Sequence, residues 1–188
     1  DEVYRHILFD GIAYHTIAAE PGMQERTLIV DNCSKTFAMT GFRIGFGTGP
    51  VHLIELMTKL TEGMYSNAVT FSQRGAIAAF RESLGQCGEM CREYQRRRDY
   101  VVSRLNNMPG IHCILPKGAF YVFANISGTG LSAEDFANRL LDQQHVAVVP
   151  GDNFGSGDGL HYIRISYAAS METIQAGMNR IEAFCKSL

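Results

Sequence analysis

Between Thr27 and Pro50 the chain carries only three charged side chains, Asp31, Lys35 and Arg43. Lys35 follows the apolar, β-prone run Thr27–Asp31, and the C-terminal end of a strand is where α/β proteins hold their ligands. A lysine set among apolar residues and glycines is a candidate nucleophile for a carbonyl carbon. Arg43, among Gly41, Gly45 and Gly47, can offer its planar fork to a phosphate. A plainer reading makes Lys35 a solvated loop lysine and pairs Arg43 with Asp31. A third cation, Arg164, lies in the run Leu160–Tyr167. Strand alternation there puts Ile163, Ile165 and Tyr167 on one face and Arg164 and Ser166 on the other. An arginine flanked by two isoleucines suits a fixed anion; its plainer reading is a surface arginine on an edge strand.

Other chemical devices fail on spacing. Ser34-Lys35-Thr36 lacks the preceding glycines of a P-loop, and Gly45 to Gly49 is not G-x-G-x-x-G. Gly155, Gly157 and Gly159 read as a loop. The six histidines make no i, i+4 pair on a predicted helix, so no metal site is expected. Gln95-Arg96-Arg97-Arg98-Asp99 is basic, but on a helix it wraps the axis and reads as a solvated face. The Met and aromatic positions of the helices read as core, with Tyr65 and Asn67 as further candidates to reach a ligand.

Several elements must position these groups. Thr27–Asp31 is predicted as a buried strand, and a short, closely packed strand is predicted within 41–50. Helices are predicted over 51–64, 70–83 and 86–107, the last ending before Pro109-Gly110. Ile111–Leu115 and Ala119–Ile126 read as a hairpin around Pro116-Lys117-Gly118. Ser132 is the predicted cap of a helix that turns Phe136, Leu140 and Leu141 inward. Val146–Val149 and Leu160–Tyr167 read as strands, and 171–187 as a helix burying Ile174, Met178, Ile181 and Cys185. The expected organisation is a piece of an α/β sheet over 1–85, then a small α+β unit over 86–188 that includes the long helix.

The chain has 188 residues and a net charge of -2, with no basic surplus for a nucleic-acid backbone. No apolar run approaches the ~20 residues of a bilayer span, and no basic stretch with an apolar core opens the sequence. Five cysteines, an odd number without a CxxC pair, point to a reducing compartment and a cytoplasmic location. Cys87 and Cys91 share a helix face and read as packing.

The stretch from Ser34 to Gly45, S-K-T-F-A-M-T-G-F-R-I-G, closely resembles the lysine signature of class I/II aminotransferases. Asp1-Glu2-Val3-Tyr4, Pro21-Gly22-Met23, Gly118-Ala119-Phe120-Tyr121 and Ile163-Arg164-Ile165-Ser166-Tyr167 resemble further family segments in the right order. The resemblance spans essentially the whole chain. It implies a fold-type-I α/β architecture, part of a large cofactor-binding domain followed by a small α+β domain, and pyridoxal 5'-phosphate as cofactor. It also implies roles. Lys35 would hold the cofactor as a Schiff base and shuttle a proton between Cα and C4'. Asp1 would keep the pyridine nitrogen protonated. Tyr4 would hydrogen-bond the phenolic oxygen, Ser34 and Arg43 would hold the phosphate, and Arg164 would clamp a substrate α-carboxylate.

The expected substrates are an amino acid and a 2-oxo acid, and the expected parent is a homodimer that engages neither nucleic acid nor membrane. Asn32 departs from the family's usual small residue, with an expected effect on strand packing. Family members are about twice this length, so the chain is expected to be a C-terminal portion, inactive alone. The same residues also serve carbon–sulfur β-lyases and the aminotransferase-like effector domains of transcription regulators.

Overall fold

The computed structural model describes residues 1–155 and 157–188. The chain divides into two compact units, Asp1–Cys91 and Arg92–Leu188. The division falls within the long helix α4, Leu84–Asn106.

In the N-terminal unit, β1 (Ile29–Asn32) pairs antiparallel with β2 (Gly45–Thr48) from Ile29↔Thr48 to Asn32↔Gly45. The ribbon is tight at that end, where a Cβ on Gly45 would meet the Asp31 carbonyl at 3.0 Å. Between the strands lie the one-turn helix α1 (Cys33–Thr36) and the 3-10 turn Thr40–Phe42. Helices α2 (Val51–Tyr65) and α3 (Thr70–Glu82) follow. Both are where the apolar spacing predicts helices, but their burial differs from expectation. No residue of α2 is buried, and Leu60, Met64 and Phe71 are exposed. The face of α3 that packs is a small-residue face, Ser72 and Ala79. β1 also departs from the buried strand predicted: Leu28 and Val30 are 38% and 43% exposed. A strand in a two-stranded ribbon has neither neighbours on both edges nor cover on both faces. One buried cluster here is Cys33, Met39 and Ala79 flanked by Phe37, Ile44 and Ala76, and Ile7, Phe9 and Cys87 of the same unit are also buried.

The C-terminal unit is a four-stranded antiparallel sheet in the order β3 (His112–Cys113), β4 (Tyr121–Asn125), β6 (Tyr162–Ser166), β5 (Val149–Pro150). Its other elements are α5 (Ala133–Gln144) and α6 (Met171–Lys186). The predicted hairpin is β3–β4, with His112 opposite Asn125. Of the run at 146–149 only Val149 is strand, and β5 continues to Pro150. Ser132 caps α5 by accepting the Asp135 N–H at 3.1 Å. Phe136 and Leu140 are buried as expected, but Leu141 is exposed, one residue past the buried stripe. Ile174, Met178, Ile181 and Cys185 are all buried. Alternation sorts the sheet, with Val122, Ala124, Ile163 and Ile165 on the buried face. A fully buried Leu, Ile or Phe contributes about 1.5–3 kcal/mol, so this denser core holds its strands firmly.

Arg98 corrects the reading of the basic run as a solvated face. It is 1% exposed, donates to the Pro116 carbonyl at 2.9 Å and pairs with Asp99 at 2.7 Å. Of the run's other members, Arg96 and Asp99 are exposed while Gln95 and Arg97 are half-buried. None of the five cysteines is in a disulfide. Cys87 is buried beside the carbonyl of His6, to which Cys91 donates at 3.0 Å. Among the described residues no helix is long and apolar enough to cross a membrane.

Candidate active site

The ribbon β1–β2 closes at the pair Asn32↔Gly45. Ser34 lies two residues beyond one end of that pair and Arg43 two residues before the other, so the ladder brings side chains nine apart in sequence to one place. Asn32, the departure noted above, has a local task. Its side chain accepts the Ser34 N–H at 2.8 Å and caps α1. Lys35 is the third residue of that capped turn and is half-buried.

The connection between the strands is held from several sides. The Cys33 N–H donates to the Ile44 carbonyl at 3.2 Å. The buried Ser72 hydroxyl donates to the Phe42 carbonyl at 2.7 Å, and the rings of Phe37 and Phe80 meet edge to face at 4.9 Å. Ala38 and Arg43 have left-handed backbones, φ 53° and 50°. Such conformations cost about 1–2 kcal/mol each in a residue with a Cβ, and persist where surrounding contacts over-determine them.

Ser34 and Arg43 line one cavity of about 360 Å3 together with Asn32, Phe46 and Met57. Met57 therefore faces a pocket, where the helix pattern suggested core. Arg43 does not pair with Asp31. It donates to the Thr40 carbonyl at 2.8 Å, while the buried Asp31 is held by Arg5 at 2.9 Å. The plainer reading of Arg43 is thereby overturned, because Asp31 points into the protein toward Arg5. Asp1 is exposed and accepts the Val3 N–H at 3.0 Å. Tyr4 is half-buried in the same turn, which the Glu2 N–H ties to the Val30 carbonyl at 2.8 Å. Lys35, Asp1 and Tyr4 are not among the lining residues of the Ser34–Arg43 cavity. Tyr65 ends α2 and is exposed, as is Asn67.

Arg164 belongs to the C-terminal unit. It is on β6, opposite Phe123 of β4 and Val149 of β5, so it is not on an edge strand. Ile163, Ile165 and Tyr167 are buried behind it, as strand alternation requires. Its guanidinium carbon lies 4.5 Å from the ring centroid of Tyr121 and 4.5 Å from that of Phe154. Among the described residues no carboxylate forms an ion pair with it. The sequence reading missed these two rings as partners of Arg164. Tyr121 shares the parity of Phe123 and was recoverable once the register was known; Phe154, in a turn, leaves no periodic signal.

Residues 1–181 match the family described as aminotransferase class I and II. The chain belongs to that family. It is 48% identical over 186 residues to an aspartate aminotransferase of Pyrococcus horikoshii, covering 97% of this chain and 46% of that protein. It is 43% identical over 189 residues to aromatic-amino-acid aminotransferase 2 of Thermococcus litoralis, covering 99% of this chain and 48% of that one. Among solved structures, the aspartate aminotransferase of Rhizobium meliloti superposes with a TM-score of 0.93 at 38% identity, over 99% of this chain and 48% of that one. The chain thus spans about half the length of the curated relatives it matches. The fold is that of a portion of a fold-type-I aminotransferase.

Proposed function

We propose that this chain is the lysine-bearing, C-terminal portion of a pyridoxal 5'-phosphate-dependent aminotransferase that moves an amino group between an amino acid and a 2-oxo acid. The observation that carries the reading is the convergence of Ser34 and Arg43 on one cavity, next in sequence to Lys35 on its capped turn. The donor set fits the cofactor's phosphate, since a hydroxyl and a guanidinium are the groups that hold a dianion. The cavity volume, about 360 Å3, lies within the range of small-ligand pockets.

When bound, the cofactor supplies an electron-withdrawing ring that takes up the electron pair released at the substrate Cα. The chain's own residues have distinct tasks around it. Ser34 and Arg43 hold the phosphate. Asp1 keeps the pyridine nitrogen protonated by offering it a carboxylate, and Tyr4 donates to the phenolic oxygen. Lys35 would hold the cofactor through its Nζ and, when its amine is free, would take the proton from the substrate Cα. Arg164 binds the α-carboxylate through its in-plane N–H groups. We assign residues 1–85 to the large cofactor domain and 86–188 to the small domain, and the parent to a cytoplasmic homodimer. The odd number of cysteines, without a CxxC pair, supports a reducing compartment.

The test is covalent trapping on this chain. It is incubated with pyridoxal 5'-phosphate, reduced with borohydride and mapped by peptide mass spectrometry, with Lys35→Ala as control. Labelling confined to Lys35 means that this portion retains a selective site and supports the assignment at its central residue. Equal labelling of Lys59, Lys117 and Lys186 means that the site needs the rest of the parent. On the longer parent, a new amino acid from a 2-oxo acid marks transfer, whereas pyruvate and ammonia mark β-elimination.

A further inference from the structure

We infer that Tyr121 and Phe154 are positioning residues for Arg164. These two aromatic rings hold its guanidinium in place on the outer face of the C-terminal sheet and leave its N–H donors for a carboxylate. The inference rests on the reading of Arg164 as the carboxylate-binding arginine.

The contacts are of a kind that orders a cation without neutralising it. Both ring centroids lie 4.5 Å from the guanidinium carbon, well inside the reach of a cation–π attraction. An aromatic ring draws the cation toward its face yet accepts no strong N–H···O bond, so the donors in the guanidinium plane are not spent. A carboxylate neighbour would have fixed Arg164 equally well, but would have used the fork that a substrate needs. Among the described residues no such neighbour is paired with it.

The rings are themselves held. Tyr121 is on an interior strand, paired with Ser166, and its ring lies 4.8 Å from that of Phe120. Phe154 ends the 3-10 turn Gly151–Phe154, which follows Pro150 of β5, paired with Ile163. That turn is pressed onto the sheet. A Cβ on Gly151 would come within 2.6 Å of the Tyr162 carbonyl and 3.0 Å of the Phe123 ring. Phe123 in turn stacks on Tyr162 at 4.8 Å and 9°, and meets Phe154 edge-on at 6.0 Å and 85°. Phe154 therefore has a fixed ring although its side chain is largely open to solvent. A free arginine gives up considerable rotamer freedom when it clamps a ligand. A guanidinium already held by two rings has lost that freedom before the ligand arrives.

The experiment reads Arg164 directly, by nitrogen-edited NMR of its Nε–Hε group in the 188-residue chain, with acetate as the carboxylate probe. Phe154→Leu removes the ring but keeps apolar bulk, Tyr121→Leu does the same on the strand, and Phe154→Tyr restores a ring. Unchanged amide signals of β4 and β6 verify the fold in each variant. In wild type and Phe154→Tyr the Nε–Hε group is expected to be rigid and to shift with acetate. In Phe154→Leu and Tyr121→Leu it is expected to become more mobile than in wild type and to bind acetate about fivefold more weakly, the loss for one π contact of about 1 kcal/mol. Leucine variants as rigid and as acetate-responsive as wild type overturn the positioning role and leave the carboxylate reading intact. A rigid Arg164 that acetate fails to shift in every protein overturns both.

Discussion

Gly110, which ends the turn after α4, is a position where the fold forbids a side chain on two counts. Its φ is +76°, and a Cβ there would lie 2.7 Å from the carbonyl carbon of Gly128 and 2.7 Å from the nitrogen of Thr129. Alanine at 110 therefore meets two separate costs. The left-handed backbone accounts for about 1–2 kcal/mol, and forcing an atom against backbone that cannot rotate aside adds about 1–3 kcal/mol. A loss of about 3 kcal/mol is expected. Gly130 isolates the first cost, because its φ is +75° but nothing lies within 4 Å of its Cβ position. Gly130→Ala should lose only about 1–2 kcal/mol. Gly177, inside α6 with nothing within 4 Å, carries neither cost, and alanine there should add about 1 kcal/mol through helix propensity. All three positions are in the C-terminal unit. The chain has no tryptophan, so unfolding in urea is followed by far-UV circular dichroism, with hydrogen exchange at α5 and α6 amides to isolate this unit. If Gly110→Ala proves no worse than Gly130→Ala, the backbone approach to Gly128 is not a constraint and the reasoning fails.

The buried Arg98 should also be costly to replace. Arg98→Met keeps the stem but strands the Pro116 carbonyl, and a loss of about 2–3 kcal/mol in urea is expected; under 0.5 kcal/mol would show that water satisfies the carbonyl. Burial pushes the thiols of Cys113 and Cys185 up to about 11, above the about 8.5 of an unfolded chain. Their contribution to stability is complete below the unfolded value and is lost as pH rises toward 11, because the unfolded state releases its protons first. The urea midpoint should fall between pH 9 and 11, and a Cys113→Ala/Cys185→Ala double variant should flatten that slope; an unchanged slope would refute the assignment.

Local chemistry in the C-terminal unit was largely legible from sequence. Ser132 announces its cap, Pro109-Gly110 ends α4, and the alternation around Arg164 gives its face from the sequence alone. The lysine motif likewise pointed to Ser34 and Arg43, which the ribbon brings to one cavity. Legibility failed where burial depends on what covers an element. Helical spacing located α2, but no spacing tells whether its apolar stripe is covered, and Leu53, Met57 and Leu60 of that stripe are exposed. It failed again where one residue of a polar run turns inward. Nothing in three consecutive arginines distinguishes Arg98, whose burial is set by a carbonyl 18 residues away.

The two units differ in how far they fix their own functional groups. Around Arg164 the sheet, the buried Ile163 and Ile165 and the two rings are all supplied by residues 92–188. Around Lys35 the chain supplies a capped turn, a two-stranded ribbon and the buried cluster of Cys33, Met39 and Ala79, and no residue of α2 is buried. Local opening free energy follows buried apolar contact. The turn that carries Lys35 should therefore open at a lower free energy than β6, and its amides should exchange ahead of those of Ile163 and Ile165. A nucleophile must approach and leave its partner, whereas a carboxylate clamp gains affinity from being fixed in advance. The local packing around Lys35 and around Arg164 is thus matched to the chemistry proposed for each.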